Sequence, residues 1–228
     1  MNNENAILIR RQLLDWRDKH IENIHNHLSS KIAVLLRDLN NKINNMSLTD
    51  IYSNEDYTKK YLEPICSRWI KHETAILINA AQSDLNSIYQ RAIEYKENNN
   101  NLNPKNDSHN IQKDAITALI STGAGVAAIP TAVSTATVSV GGIMGLLGVT
   151  TISLPIAIVG GAIVGSLLAF GGSKIINIKS DAIERYKNDI RKAVQERVIY
   201  NKYNNSVCQC LQAQITEVTR NLIKEFNI

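Results

Sequence analysis

The chain has 228 residues, 44% of them hydrophobic and 20% charged, with a net charge of +4. That is room for one large or two small domains, and the mild basicity is interleaved with acids, so no block of cations tracks a phosphate backbone and nucleic acid is not an expected partner. Three cysteines, Cys66, Cys208 and Cys210, are an odd count at spacings that suit neither a disulfide framework nor a zinc site.

The composition is split along the chain. Every glycine falls between Gly123 and Gly172, and Ala115 to Ser173 is a run of 59 residues without Asp, Glu, Lys, Arg or His. Such a run, about three times the roughly 20 residues that cross a bilayer as a helix, argues against an ordinary globular enzyme and against intrinsic disorder. Hydrophilic, glycine-free arms flank an apolar middle. Three domains are expected: an N-terminal helical arm (1–110), a hydrophobic hairpin (111–173) and a C-terminal long helix (174–228).

At the N-terminus, Glu4 stands where a signal peptide carries basic residues, and the short apolar stretch Ala6 to Ile9 ends at Arg10 and Arg11. The expectation is synthesis in the cytoplasm without a signal peptide, followed by membrane association or release to a target membrane. From about 6 to 46 the residues Ile21, Ile24, Leu28, Ile32, Leu35, Leu39, Ile43 and Met46 recur at steps of three and four, a long amphipathic helix with a coiled-coil-like seam. Capping residues between Ser47 and Asn54 break it. A second helix is predicted over about 55–97, with Tyr61, Ile65, Trp69, Ile76, Ala80, Leu85, Ile88 and Ile93 near one face, and with Pro64 as a kink or a fresh start.

Residues 98–110 form an Asn-rich loop. Beyond it, Pro130 and Pro155 divide the apolar run into three pieces. The residues expected to meet lipid are Ile116, Leu119, Ile120, Val126, Ile129, Ile143, Leu146, Leu147, Ile156, Ile158, Val159, Ile163, Val164, Leu167, Leu168 and Phe170. Those expected to turn the hairpin or pack its helices are Pro130, Gly141, Gly142, Gly145, Gly148, Pro155, Gly161 and Gly165. Gly161 and Gly165 are spaced four apart, as are Gly141 and Gly145, which lets helix backbones approach closely in lipid. Two geometries fit: a helical hairpin turning near Gly141 to Gly148, which is favoured, or a β-tongue pairing Val138-Ser139-Val140 with Val149-Thr150-Thr151-Ile152, where β-branched residues dominate. A buried core helix pair around which the arms wrap is the remaining alternative.

The closing helix, about 174–226, carries Ile183, Tyr186, Ile190, Val194, Cys208, Leu211, Ile215, Val218 and Leu222 on its stripe, with a polar interruption at Asn201 to Ser206. The expected fold is all-α: an elongated antiparallel bundle of long amphipathic helices with the apolar hairpin or tongue at one end.

This order of amphipathic helices, polar break, apolar segment and long closing helix resembles the α-helical pore-forming toxins of the cytolysin A type over the whole chain. It also resembles the stalk and membrane paddle of bacterial dynamin-like proteins. No phosphate-binding glycine loop is present, because no glycine lies outside Gly123 to Gly172, so a GTPase would be a separate subunit. Pore-forming colicins share a hydrophobic hairpin, but theirs lies near the C-terminus. These resemblances imply a protein that inserts residues 115–173 into a bilayer and oligomerises to permeabilise it, or else a scaffold that tethers or remodels membranes with a partner. A soluble helical adaptor is the third alternative.

The expected partners are a lipid membrane and either further copies of the chain or a helical partner subunit, with no small-molecule substrate. No catalytic, cofactor-binding or metal residues are assigned, and an enzyme is not expected. His20, His25, His27, His72 and His109 invite a metal or catalytic reading, yet even His20 and His27, seven apart with Glu22 near them, lack the rest of a metal site, and the five read as solvated helix residues. His20, His25, His27 and His72 could act as an acid trigger for bundle opening. Of Cys208 and Cys210, one is expected in the core and one outside it. Trp16 and Trp69 are expected in the bundle core or at an interface.

Overall fold

The computed structural model describes residues 2–100, 135–139, 151–155, 175–203 and 205–228. The arms are helical. Helix α1, Asn2–Asn44, contains neither glycine nor proline, has Glu4 in its first turn and Lys42 in its last, as the helix dipole favours, and would extend about 65 Å at 1.5 Å per residue. Its buried stripe is Ile9, Leu13, Trp16, His20, Ile24, Leu28, Leu35, Leu39 and Ile43.

Ser47 then caps the short helix α2, Leu48–Tyr52, in a reciprocal capping box with Asp50. After Ser53, α3 (Asn54–Tyr57) runs through a π turn, Thr58–Leu62, into α4, Glu63–Asn100. The π turn is the local answer to Pro64. Proline supplies no N–H to the carbonyl four residues back, and the preceding turn widens so that the Glu63 amide bonds to the Thr58 carbonyl five residues away. The kink or restart expected at Pro64 therefore takes the form of one wide turn, and the helix continues to Asn100, three residues into the expected Asn-rich loop.

The closing helix is two helices in line, α5 (Ile175–Val198) and α6 (Val207–Phe226). Ser206 caps α6 through a capping box with Gln209 and also donates to the Ile199 carbonyl, 2.9 Å away, while the Gln209 amide donates to the Asn201 carbonyl at 3.1 Å. The polar residues that interrupted the stripe are thus the turn between the helices. Asn227, in the left-handed region at φ 53°, ends α6.

The helices pack as three rods. Trp16 Nε1 donates to the Ala81 carbonyl at 3.0 Å, His27 meets Glu73, and the Tyr57 hydroxyl donates to the Lys42 carbonyl at 2.8 Å. Rising numbers on α1 meet falling numbers on the second rod, so the two run antiparallel. Gln212 Nε2 donates to the Ile21 carbonyl at 3.1 Å, and Phe226 packs edge-on against Tyr89 with ring centroids 5.6 Å apart, so α6 is also antiparallel to α1. At the other end the Tyr186 hydroxyl meets the Thr58 hydroxyl and lies 3.4 Å from the Asn54 carbonyl. Because Ser206 touches Ile199, α5 continues the direction of α6. The shared core draws on all three rods, from Leu28, Leu35 and Leu39 through Ile70, Leu77 and Leu85 to Ile190, Val194, Leu211 and Val218.

The face of α4 is the main correction to the expected pattern. The buried apolar residues are Leu62 in the π turn and Cys66, Ile70, Leu77, Ile78, Ala81, Leu85, Ile88, Tyr89 and Ala92 on α4; Leu85 and Ile88 are buried as expected, whereas Leu62, Cys66, Ile70, Leu77 and Ala81 stand one residue on from Tyr61, Ile65, Trp69, Ile76 and Ala80. Ile76 is 43% exposed. Two polar residues, Glu73 and Thr74, occupy the middle of the true stripe. A pattern of apolar residues alone slides onto the larger half-buried flank of Tyr61, Ile65 and Trp69.

Within the apolar segment the described residues are a two-stranded antiparallel ribbon, β1 (Thr135–Ser139) and β2 (Thr151–Pro155), with Val138 opposite Ile152 and Ser139 opposite Thr151. Over these ten residues the chain is extended where the favoured helical hairpin required helix. β-Branched Thr135, Thr137, Val138, Thr151 and Ile152 suit a pleated backbone. Pro155, expected at a hairpin turn or helix contact, ends β2, where its missing N–H removes little from the ladder. The register pairs Thr135 with Pro155, Ala136 with Leu154 and Thr137 with Ser153. β1 lies beside α4 and β2 beside α6.

Candidate functional site

The expected insertion residues, from Ile116 to Phe170, and the expected turn residues other than Pro155 lie outside the described residues. The described helices fix the points from which that segment departs and to which it returns. Asn100 stands at the end of the bundle where α1 begins, because Lys96 lies over the Phe226 ring at 5.4 Å and Phe226 packs on Tyr89. Ile175 stands beyond the opposite end, three turns before Tyr186, which meets Thr58 and Asn54 near the close of α1. The described residues that flank the apolar segment therefore stand toward opposite ends of the bundle, and the expected hairpin itself, the ten ribbon residues excepted, lies outside the described residues. Among the described residues, no helix is long and apolar enough to cross a membrane.

Between α1 and α4 runs a histidine–carboxylate seam. His20, 3% exposed, donates from Nε2 to Asp84 at 3.1 Å, and Lys19 donates to the same carboxylate oxygen at 2.6 Å. The Lys19 ammonium hydrogen-bonded to Asp84 holds that carboxyl below its ordinary value. Burial lowers the basicity of His20 as well, despite the carboxylate beside it, and so favours its neutral form. The ring also tilts against Trp16, with centroids 5.3 Å apart.

Two turns along α1, His27 Nε2 donates to Glu73 Oε2 at 2.6 Å, and His72 Nδ1 donates to the other oxygen at 3.2 Å. The Glu73 side chain is only 9% exposed, against 20% for His27 and 69% for His72. Next to it the Thr74 hydroxyl is buried without a hydrogen-bond partner. A buried carboxylate fixed by N–H donors from two helices sets the register of α1 on α4.

The solvated-helix reading therefore holds for His25 and His72, which are exposed, and fails for His20 and His27. Glu22 is exposed and takes no part. The carboxylates that matter, Glu73 and Asp84, were not singled out from the sequence. Their signal is in the antiparallel pairing: once Trp16 is set against Ala81, Asp84 falls near His20 and Glu73 near His27. His109 lies outside the described residues. Among the described residues no group of three or more His, Cys, Asp or Glu is arranged to hold a metal ion. Cys66 and Cys208 are buried and Cys210 is half-buried. Burial pushes the Cys66 thiol up to about 12 and Cys208 up to about 11, so neither is poised as a nucleophile.

No family model, no curated protein and no solved structure matches this chain.

Proposed function

We propose that the chain inserts residues 115–173 into a lipid bilayer and, through contacts between copies, permeabilises it. The observation that carries this reading is the 59-residue uncharged run set between arms that hold a continuous core of their own. A run of that length has no counterpart in the amphipathic arms. Its Ala, Gly, Ser and Thr content keeps it less apolar than a Leu-rich anchor, which suits a segment that is first masked by protein and later exposed to lipid.

In sequence, Thr135 to Ser139 and Thr151 to Leu154 alternate Thr or Ser with an apolar residue, the pattern by which strands meet lipid on one side only. Five-residue strands span about 17 Å at 3.3–3.4 Å per residue, too short to cross the roughly 30 Å hydrocarbon core, so neighbouring residues or shallow placement must complete the insertion. In lipid the outer edges of a ribbon need partners, and a second copy of the chain supplies them.

Dye release from liposomes tests the proposal. A charge at Val164 should oppose insertion by about 2.5–3.5 kcal/mol on translocon-type scales, and Gly161→Leu with Gly165→Leu should impair packing of the inserted segment. Release equal to wild type from Val164→Asp and from the double glycine variant would contradict it. Flotation with liposomes without dye release would favour the membrane-tethering alternative.

A further inference from the structure

We propose that His20 is an acid-operated latch: a second proton on its ring loosens the half of the α1–α4 seam nearer Asn100, while the half held by His27 and Glu73 stays closed.

The inference comes from what surrounds the ring. An ionised carboxylate only accepts, so His20 Nε2 carries the proton of its 3.1 Å bond to Asp84, and the neutral ring keeps its lone pair on Nδ1. Among the described residues Nδ1 has no hydrogen-bond partner. The ring is 3% exposed and tilts against Trp16, which is buried as deeply. A proton on Nδ1 therefore makes a charged donor with no acceptor beside it and little water to stand in for one, which costs more than an ordinary hydrogen bond contributes.

The carboxylate in reach does not compensate. Lys19 Nζ lies 2.6 Å from Asp84 Oδ2, the same oxygen that His20 Nε2 meets. Among the described residues the charged groups that act on the ring are Lys19 on α1 and Asp84 on α4, and α6 brings none. Charging His20 sets two cations on one oxygen, and only Lys19 has water around it. Opening the seam until water reaches the imidazolium removes the conflict.

The other half of the seam has no such conflict. Glu73 offers each histidine an oxygen of its own, Oε2 to His27 and Oε1 to His72. A proton on His27 there makes an ion pair with an oxygen that no lysine among the described residues shares. His25 and His72 are exposed, so water receives their charge in the folded and the unfolded chain alike. Of the four histidines offered by the sequence as an acid trigger, the geometry retains one. It also gives the opening a direction, from the Asn100 end inward, with Ile9, Leu13 and Trp16 the first core side chains uncovered.

Hydrogen exchange of the full chain without lipid, at pH 7.5 and pH 5 with the intrinsic pH dependence of exchange removed, tests the latch. Histidine ordinarily titrates near 6.5, so at pH 5 one proton held back by the folded state favours opening by at most about thirtyfold. Protection of the amides of 9–20 and 81–92 should fall by about threefold to thirtyfold, and that of 28–43 and 62–77 should hold. His20→Gln keeps a donor toward Asp84 but cannot charge, and should abolish the fall. Lys19→Met, a change at an exposed side chain, should shrink it by freeing Asp84 for the imidazolium. Equal loss along all four stretches, or an undiminished loss in His20→Gln, would overturn the latch. Were the Gln variant unfolded, an undiminished loss in Lys19→Met would overturn it as well. No lipid is present, so the latch stands or falls apart from membrane insertion.

Discussion

Removing His27 should cost far more than its half-buried position suggests. Its Nε2 donates at 2.6 Å to a carboxylate that is 9% exposed, and in His27→Ala the remaining side-chain donor is His72, at 3.2 Å and 69% exposed. A hydrogen bond to a charged group contributes about 1.5–3 kcal/mol, and breaking a buried ionic pair by deleting one partner costs up to about 3–5 kcal/mol. The geometry lies nearer the first range, because His72 still shares the anion, so a loss of about 2–3 kcal/mol is expected. Glu73→Leu in the same background removes the stranded carboxylate and should recover much of that loss, giving a coupling of at least about 1.5 kcal/mol in the double-mutant cycle. The exposed pair Lys59–Glu55, 2.7 Å apart with side chains 61% and 74% exposed, is the internal control and should couple by no more than about 0.5 kcal/mol. Urea unfolding followed by far-UV circular dichroism at pH 7 measures all of these. A His27–Glu73 coupling no larger than that of the control would refute the reasoning, because the seam would then be a solvated contact.

Burial lowers the basicity of His20 below its ordinary value, so the unfolded chain binds this proton first: stability contributed by neutral His20 is complete above about pH 6.5 and declines as pH falls below it. The urea midpoint should drop between pH 7.5 and 5, and His20→Gln should flatten that slope; an unchanged slope would remove His20 as the acid-sensitive group. Trp16→Phe loses the buried bond to Ala81 and part of an indole's volume, for a destabilisation of about 1.5–3 kcal/mol by the same urea assay. With Cys66 pushed up to about 12 and Cys208 up to about 11, those two thiols should resist a disulfide reagent at pH 8 in the folded protein and react once urea is added. Rapid modification of both without denaturant would contradict their burial.

How far the fold was legible in the sequence depended on where polar residues sit. On α1 the seam Ile24, Leu28, Leu35, Leu39 and Ile43 is uninterrupted and reads directly as the buried face. On α4 the core contains Glu73 and Thr74 and a small Cys66, so hydropathy points one residue aside, at Ile65, Trp69 and Ile76. Glu73 reads as surface until its two histidine donors are in view, and they come from different helices. Pro64 announces a disturbance, but only the backbone shows that it is a π turn rather than a break. The opposite placement of Asn100 and Ile175 follows from which rod is antiparallel to which, and that is a property of tertiary pairing that no local pattern carries. Within the apolar segment the β-branched residues around Val138 and Ile152 were visible as a strand alternative. The same glycine turn, Gly141 to Gly148, serves a helical hairpin and a β-tongue alike, so it does not separate them.

Insertion of residues 115–173 into lipid is tested most directly by an environment-sensitive fluorophore at Val164→Cys, read on full-length protein floated with liposomes. Co-flotation with a blue-shifted emission that is quenched by lipid-borne quenchers is the result expected, whereas co-flotation with unshifted emission, or no flotation at all, would contradict membrane insertion.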